Sequence, residues 1–281
     1  MGFGCSEKEM KASYLQALDV FNTSSFAAEK NFREHSKPLQ WAEIQAIAKH
    51  LPAGGALLDI GTGTGILPHA FHLMGASVHS VDLPSETGAP LRRLQDLGIK
   101  GSWLEVGPQP LPYAENSFDV VFAGDVVEHI PGSPRPFMTE VVRVLKPGGH
   151  LVLSTPNAVR LPVRLRVLLG YSNWMPLAEF YRLDLNPGHH KEYVKAELAQ
   201  LMRLSELSDI NVSLIEDTLA RSNLARSLSD LQTKNRFVDE CRRGTGFGWL
   251  NPLDYARIIL YGLATLLPNL RSSLLAVGRK A

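Results

Sequence analysis

Over the first fifty positions, apolar residues recur at helical spacing: Tyr14, Ala17, Leu18 and Phe21, then Ile44, Ile47 and Leu51. The polar stretch from Asn31 to Lys37 separates the two groups, which predicts two or three helices laid against or over a core. From position 56 the pattern changes to short apolar runs of strand length, near 56–60, 77–82, 101–106, 119–123 and 149–154, alternating with helical segments. Such alternation implies parallel strands in one sheet, joined by right-handed crossovers. The tandem Pro147-Gly148-Gly149 marks a turn ahead of the fifth strand. A helix over 194–206 and strands near 210–215 and 273–279 complete the series.

Two stretches interrupt it. After Asn157, Arg160, Arg164, Arg166 and Arg182 are interleaved with Tyr171, Trp174 and Tyr181, and prolines stand at 162, 176 and 187, which reads as an inserted helical lid. Between the last two strands lies a second insertion, holding Gly244-Thr245-Gly246-Phe247-Gly248 and the apolar run Ile258–Leu267. A connection that long should have structure of its own. The expected organisation is an N-terminal helical cap over 1–50 and one domain over 51–281, with the lid at about 158–193 and the late insertion at about 216–272.

At 281 residues and 44% hydrophobic content the chain can bury one substantial core. A net charge of +1, from 29 basic and 28 acidic residues, gives no global field toward nucleic acid. Cys5 and Cys241 are too few for a disulfide framework or a cysteine metal site, which fits a reducing cytoplasm, and no export signal is expected. Met1-Gly2-Phe3-Gly4-Cys5-Ser6 matches the short myristoylation pattern, with Cys5 as a second acylation point, although so short a pattern recurs by accident. The Ile258–Leu267 run is about half the length a membrane-spanning helix needs, so it reads as a core or interfacial helix.

The candidate chemistry begins where the first strand ends. Leu57 to Leu67 reads as a buried strand, an acid, three glycines spaced by two and a returning apolar helix. Gly61, Gly63 and Gly65 allow positive φ and close approach of a ligand to the main chain. The carboxylate of Asp59 repels phosphate and welcomes a cation, so the loop suits S-adenosylmethionine better than a dinucleotide. The dinucleotide fingerprint also spaces its third glycine one residue later.

These residues, together with Val78-His79-Ser80-Val81-Asp82, Leu111 to Val121, Asp125 to Ile130 and Arg143 to Leu153, resemble the ordered motifs of class I S-adenosylmethionine-dependent methyltransferases. The resemblance implies a Rossmann-like, doubly wound, mostly parallel seven-stranded α/β sheet with an antiparallel last strand. It also implies S-adenosylmethionine as donor, S-adenosylhomocysteine as product and a small-molecule acceptor methylated on oxygen: a phenolic, quinone-like, polyketide or lipid-linked sugar compound. Asp59 would orient the methionine amino group, Gly61 and Gly63 would present backbone to it, and Thr62, Gly65 and Gly124 would complete the donor contacts. Asp82, at the end of the second strand, would accept both ribose hydroxyls; helix capping is its other reading. Many relatives carry an acid for adenine after the third strand. Here that stretch is Glu105 to Pro110, so Glu105 or Gln109 would substitute.

Asp125, Glu128 and His129 stand at i, i+3 and i+4, on one face if a helix begins there. Either Asp125 is an N-cap with Glu128 closing a capping box, or His129 is a general base, or the trio holds a divalent ion such as magnesium. The resemblance to quinone-pathway O-methyltransferases raises the metal reading. In Gly188 to Tyr193, His189 is a second base candidate, while Glu192 and Tyr193 could simply begin the next helix. The lid arginines either bind an acceptor anion or snorkel into water. A homodimer is compatible with the chain. The rival functions are a nicotinamide-dependent oxidoreductase and a donor-binding, non-catalytic partner subunit.

Overall fold

In the first core strand, β1 (Ala56–Ile60), Leu57, Leu58, Asp59 and Ile60 are all buried, as a strand covered on both faces requires. The computed structural model describes residues 4–22, 37–84, 89–107, 109–172, 181, 188–216 and 266–281. Around β1 lie β2 (Ser77–Asp82), β3 (Lys100–Trp103), β4 (Phe118–Gly124), β5 (Leu145–Pro156), β6 (Leu207–Ile215) and β7 (Ser273–Lys280). They form one seven-stranded sheet in the order β3-β2-β1-β4-β5-β7-β6. The first five strands are parallel, and β7 runs antiparallel to both β5 and β6. The expected doubly wound α/β sheet with an antiparallel last strand is therefore present.

Side-chain alternation divides the core into two layers. Leu58, Ile60, Val121, Leu151 and Leu153 face a layer that includes Phe137 and Val141 of α5 (Arg135–Val144) and Leu198 and Met202 of α7 (Lys195–Leu204). Leu57, Val120 and Val152 face the other. That second layer holds Tyr14, Ala17 and Leu18 of α1 (Glu7–Asn22), Ile44 and Ile47 of α2 (Lys37–His50), and Ile66, Ala70 and Phe71 of α3 (Ile66–Leu73). The N-terminal helices thus share a core with the sheet, and α2 runs against β4 and β5. Helices α4 (Ala89–Asp96) and α6 (Leu161–Leu168) complete the described set.

The expected turn ahead of the fifth strand is instead a bulge inside it. Leu145 pairs with Phe118 and His150 with Val120, so residues 146–149 bow out of register. Gly149 is required there, because a Cβ would lie 2.9 Å from the Lys146 carbonyl and 3.0 Å from that of Asp119. Similarly, β3 ends at Trp103, short of the expected 106, and Val106 bridges to Gln109.

Among the described residues no helix is long and apolar enough to cross a membrane. Cys5 is half-buried against the layer of α1 and α3. Met1 to Phe3, Asn31 to Ser36, Trp174, Pro176, Arg182, Pro187, Cys241, Gly244 to Gly248 and residues 258–265 of the apolar run lie outside the described residues.

Phe137 is 0% exposed at the centre of its layer. Phe137→Ala should cost about 3–5 kcal/mol, read as a lower urea midpoint with an unchanged denaturant slope.

Candidate active site

The glycine loop is shaped by hydrogen bonds as well as by sterics. As the chain leaves β1, the Gly61 N–H donates to the Val81 carbonyl at 2.8 Å, latching the loop to the end of β2, and the Gly65 N–H donates to Thr62 O at 2.9 Å. Gly61, Gly63 and Gly65 have φ of 79°, 52° and 77°. Beyond needing this left-handed backbone, Gly61 has no room for a Cβ, which would sit 2.5 Å from Val126 Cγ2. Gly63 has open space on the corresponding side, its nearest atom being 3.8 Å away. One glycine thus serves packing and the other leaves main chain bare toward a cavity.

That cavity, of about 1070 Å³, opens over the carboxyl ends of the parallel strands, where ligands of such sheets bind. Asp59 lines it and is 1% exposed, with a 3.3 Å hydrogen bond from the Ser80 hydroxyl. Burial, then the neighbouring charge of Asp82, pushes the Asp59 carboxyl well above the usual carboxylate range. Asp82 closes β2, half-buried, and accepts from the Leu83 N–H at 2.8 Å and from the Gly63 N–H. Burial nonetheless raises its pKa. The next helix begins at Ala89, too far for Asp82 to be its cap.

Thr62 also lines the cavity, and its buried hydroxyl has no hydrogen-bond partner among the described residues. Gly124 lines it too, and a Cβ there would meet the Phe122 ring at 2.5 Å. Of the two adenine candidates, Glu105 stands exposed at the cavity wall, whereas Gln109 is exposed beyond it.

The expected helix at Asp125 does not form. Val127–His129 is a single 3₁₀ turn with Val126 ahead of it and no side-chain cap, so the capping box is absent. Ile130 precedes Pro131, which disfavours helical backbone, and Ile130 is extended with ψ 119°. Asp125 takes a left-handed φ of 51°, with its N–H donating to Ser154 O at 3.1 Å. Glu128 is instead buried, its Oε2 accepting from the Thr155 hydroxyl at 3.0 Å. The other oxygen, Oε1, has no hydrogen-bond partner among the described residues.

This turn draws the second histidine segment to it. The Glu128 carbonyl accepts from the His190 N–H at 2.6 Å and the Lys191 N–H at 3.3 Å. His129 Nδ1 lies 3.1 Å from Gly188 O, and the rings of His129 and His189 meet edge to face with centroids 4.8 Å apart. His189 Nδ1 sits 2.9 Å from Glu192 Oε1, while its Nε2 is 4.0 Å from Glu128 Oε1. Glu192 does not begin a helix: α7 starts at Lys195, and Arg160 grips both oxygens of Glu192 at 2.5 and 3.1 Å. Tyr193 packs in the core, with its carbonyl accepting from the Ala158 N–H at 3.0 Å. Of the arginines expected in a lid, Arg160 is thus committed to an internal ion pair, and Arg164 donates to Val159 O at 2.6 Å.

The two imidazoles are pushed in opposite directions. Burial, then the neighbouring His189, lowers the pKa of His129. The hydrogen bond to Glu192 raises that of His189 against its own burial. Burial, then Asp125, pushes the pKa of Glu128 up to about 8.

Glu128, His129 and His189 bring one oxygen and two nitrogens within 4.8 Å of one another; Asp125 is not in that group. The oxygen-rich, tightly spaced shell of magnesium is not matched by this set. Sequence reasoning passed over Glu43, a buried acid on α2, and the Arg160–Glu192 pair; only an acid beside the apolar Ile44 and Ile47 hints at the first.

The family model for a methyltransferase domain matches residues 58–153. The ubiquinone biosynthesis O-methyltransferase of Xanthomonas axonopodis pv. citri (strain 306) is 32% identical over 182 residues, covering 62% of this chain and 72% of that protein. Its namesake from Burkholderia pseudomallei (strain 1710b) is 31% identical over 215 residues, covering 73% and 84%. Among solved structures, a SAM dependent methyltransferase from Archaeoglobus fulgidus superposes with a TM-score of 0.56 at 16% identity, over 91% of this chain and 99% of that one. Phosphoethanolamine N-methyltransferase 2 of Haemonchus contortus, in complex with S-adenosyl-L-methionine, superposes with a TM-score of 0.53 at 16% identity, over 93% and 59%.

The contrast between the two loop glycines is measurable. Gly61→Ala, which meets both the φ penalty and Val126, should lose more than about 2 kcal/mol of stability, and Gly63→Ala only about 1 kcal/mol, compared by chemical denaturation of the ligand-free proteins.

Proposed function

Because the chain belongs to the class I S-adenosylmethionine-dependent methyltransferases, we propose that it methylates a hydroxyl oxygen of a phenolic or quinone-like small molecule, with His129 as the base. The observation that carries this reading is the edge-to-face imidazole pair in the cavity that begins at the glycine loop, its two pKa values pushed in opposite directions. Family membership supplies the donor and removes the nicotinamide alternative. The names of the relatives support oxygen as acceptor atom and a quinone precursor as acceptor class.

In this reading Asp59 attracts the amino group of the donor, Gly61, Gly63 and Gly65 let it lie against main chain, and Asp82 takes the ribose hydroxyls. Thr62 offers a hydroxyl that no described residue partners, and Gly124 presents main chain at the cavity wall. Transfer is a displacement at the sulfonium methyl, which depends on holding oxygen, carbon and sulfur in line with the attacking pair about 3–3.5 Å apart. A phenol with a pKa near ~10 must also lose its proton.

His129 is prepared for that step. Gly188 O can only accept, so Nδ1 carries the proton and Nε2 is left basic, on a ring whose lowered pKa keeps it neutral at pH 7. His189, whose pKa Glu192 raises, can stabilise in its protonated form the phenolate that results. The opposed shifts are how two chemically identical side chains acquire separate acid and base roles. The apolar Leu39, Leu67, Val106, Ile130 and Pro162 in the cavity wall support an acceptor with an apolar portion. The two-cysteine composition supports a cytoplasmic setting.

A panel of catechols with and without apolar tails, incubated with donor and followed by mass spectrometry, should yield a methyl ether. Donor binding with no product across the panel would favour the non-catalytic reading. His129→Asn should lower kcat by about 10²–10⁴-fold while leaving S-adenosylhomocysteine affinity unchanged.

The pH profile has a definite sign. In the wild type, kcat/KM should rise through a pKa below 6.5 as His129 deprotonates and fall above 6.5 as His189 loses its charge. His189→Asn should abolish the alkaline limb and keep the acid one.

A further inference from the structure

Glu43 is a buried acid that the mechanism above leaves unused. It projects from α2, is 5% exposed and lines the same cavity as Asp59. Its Oε1 accepts from the Ser154 hydroxyl at 2.6 Å. Ser154 pairs with Gly124 across β4 and β5, and Asp59 lies on β1, the other neighbour of β4. Asp82 is on β2, at the opposite side of β1. A donor whose ribose rests on Asp82 and whose chain crosses the glycine loop therefore brings its amino-acid end to the side where Glu43 stands.

Building on the donor placement proposed above, we infer that Glu43 is a donor-binding residue: together with Asp59 it receives the donor α-ammonium, which is gripped between α2 and β1. The chemistry favours this assignment. Two carboxyl groups buried in one cavity lose their hydration, and a cation between them restores what was lost. An ammonium has three N–H donors, enough to serve both acids at once. Glu43 is close enough to Asp59 to contribute to the upward shift of its pKa, and its nearness also raises the Tyr14 phenol. Ser154 fixes one carboxylate oxygen from the sheet, so the side chain is oriented before any ligand arrives. Glu43 also lies ahead of residues 58–153, the part matched by the family model, so this contact belongs to the N-terminal helices of this chain.

The test separates a ligand contact from a tether between α2 and β5. Glu43→Gln removes the charge but keeps an oxygen for the Ser154 hydroxyl. Calorimetry on the full chain would compare S-adenosylhomocysteine with 5′-methylthioadenosine, which has the same adenosine and sulfur but no amino acid. Expected is a loss of about tenfold or more in S-adenosylhomocysteine affinity, with methylthioadenosine affinity held within about twofold. Equal losses for both ligands, or undiminished S-adenosylhomocysteine binding, would overturn the proposal.

Should Glu43→Gln not fold, Ser154→Ala frees the carboxylate from its fixed orientation and should show the same ligand-selective loss, smaller in size; a non-selective loss overturns the proposal equally. A wild-type protein that binds neither nucleoside would instead refute the donor placement on which the inference rests.

Discussion

Burial of several carboxyl groups at the carboxyl ends of a parallel sheet is the constraint on which the rest of this structure depends. Asp59, Glu43 and Glu128 are each 5% exposed or less, and Asp82 is half-buried beside them, all in one cavity. Desolvation raises the pKa of Asp59, Asp82 and Glu128, so a site empty of ligand pays in protonation or in unfavourable charge for an arrangement that suits a cation. The sulfonium and ammonium of the donor carry the complementary charge. Packing alone would fill these positions with apolar residues, as it does at Leu57, Leu58 and Ile60 on either side of Asp59.

The fold that supports this charge was largely legible in the sequence, because its signals are local. The continuous apolar runs of β1 and β4, the three glycines, and the acid closing β2 can each be read within a dozen residues, and the seven strands fall close to where the hydrophobic runs place them. Where the sequence misled, a local rule met a local competitor. Asp125 and Glu128 have capping-box spacing, yet Pro131 stops a helix before it can start, leaving a 3₁₀ turn and a left-handed Asp125. The Pro147-Gly148-Gly149 turn signal was absorbed as a bulge because β4 pairs with β5 on both sides of it, at Leu145 and again from His150.

What the sequence concealed was long-range. Glu43 meets Ser154 across 111 positions, Arg160 meets Glu192 across 32, and His129 meets Gly188 across 59. No periodicity announces such partners, and each bears on a chemical property: the orientation of a carboxylate, the pKa of His189, or the tautomer of His129. The candidate bases could be named from residue type, but the opposite directions in which their pKa values are pushed needed the geometry.

The most direct measurement of the central claim is a comparison of wild type with Asp59→Asn by calorimetric titration of S-adenosylhomocysteine and by denaturation without ligand. The account predicts that the variant binds tens of times more weakly yet unfolds at higher denaturant, because a buried acid that served the ligand and opposed folding is gone. Undiminished affinity together with lower stability would show that Asp59 serves the fold, and would contradict the account.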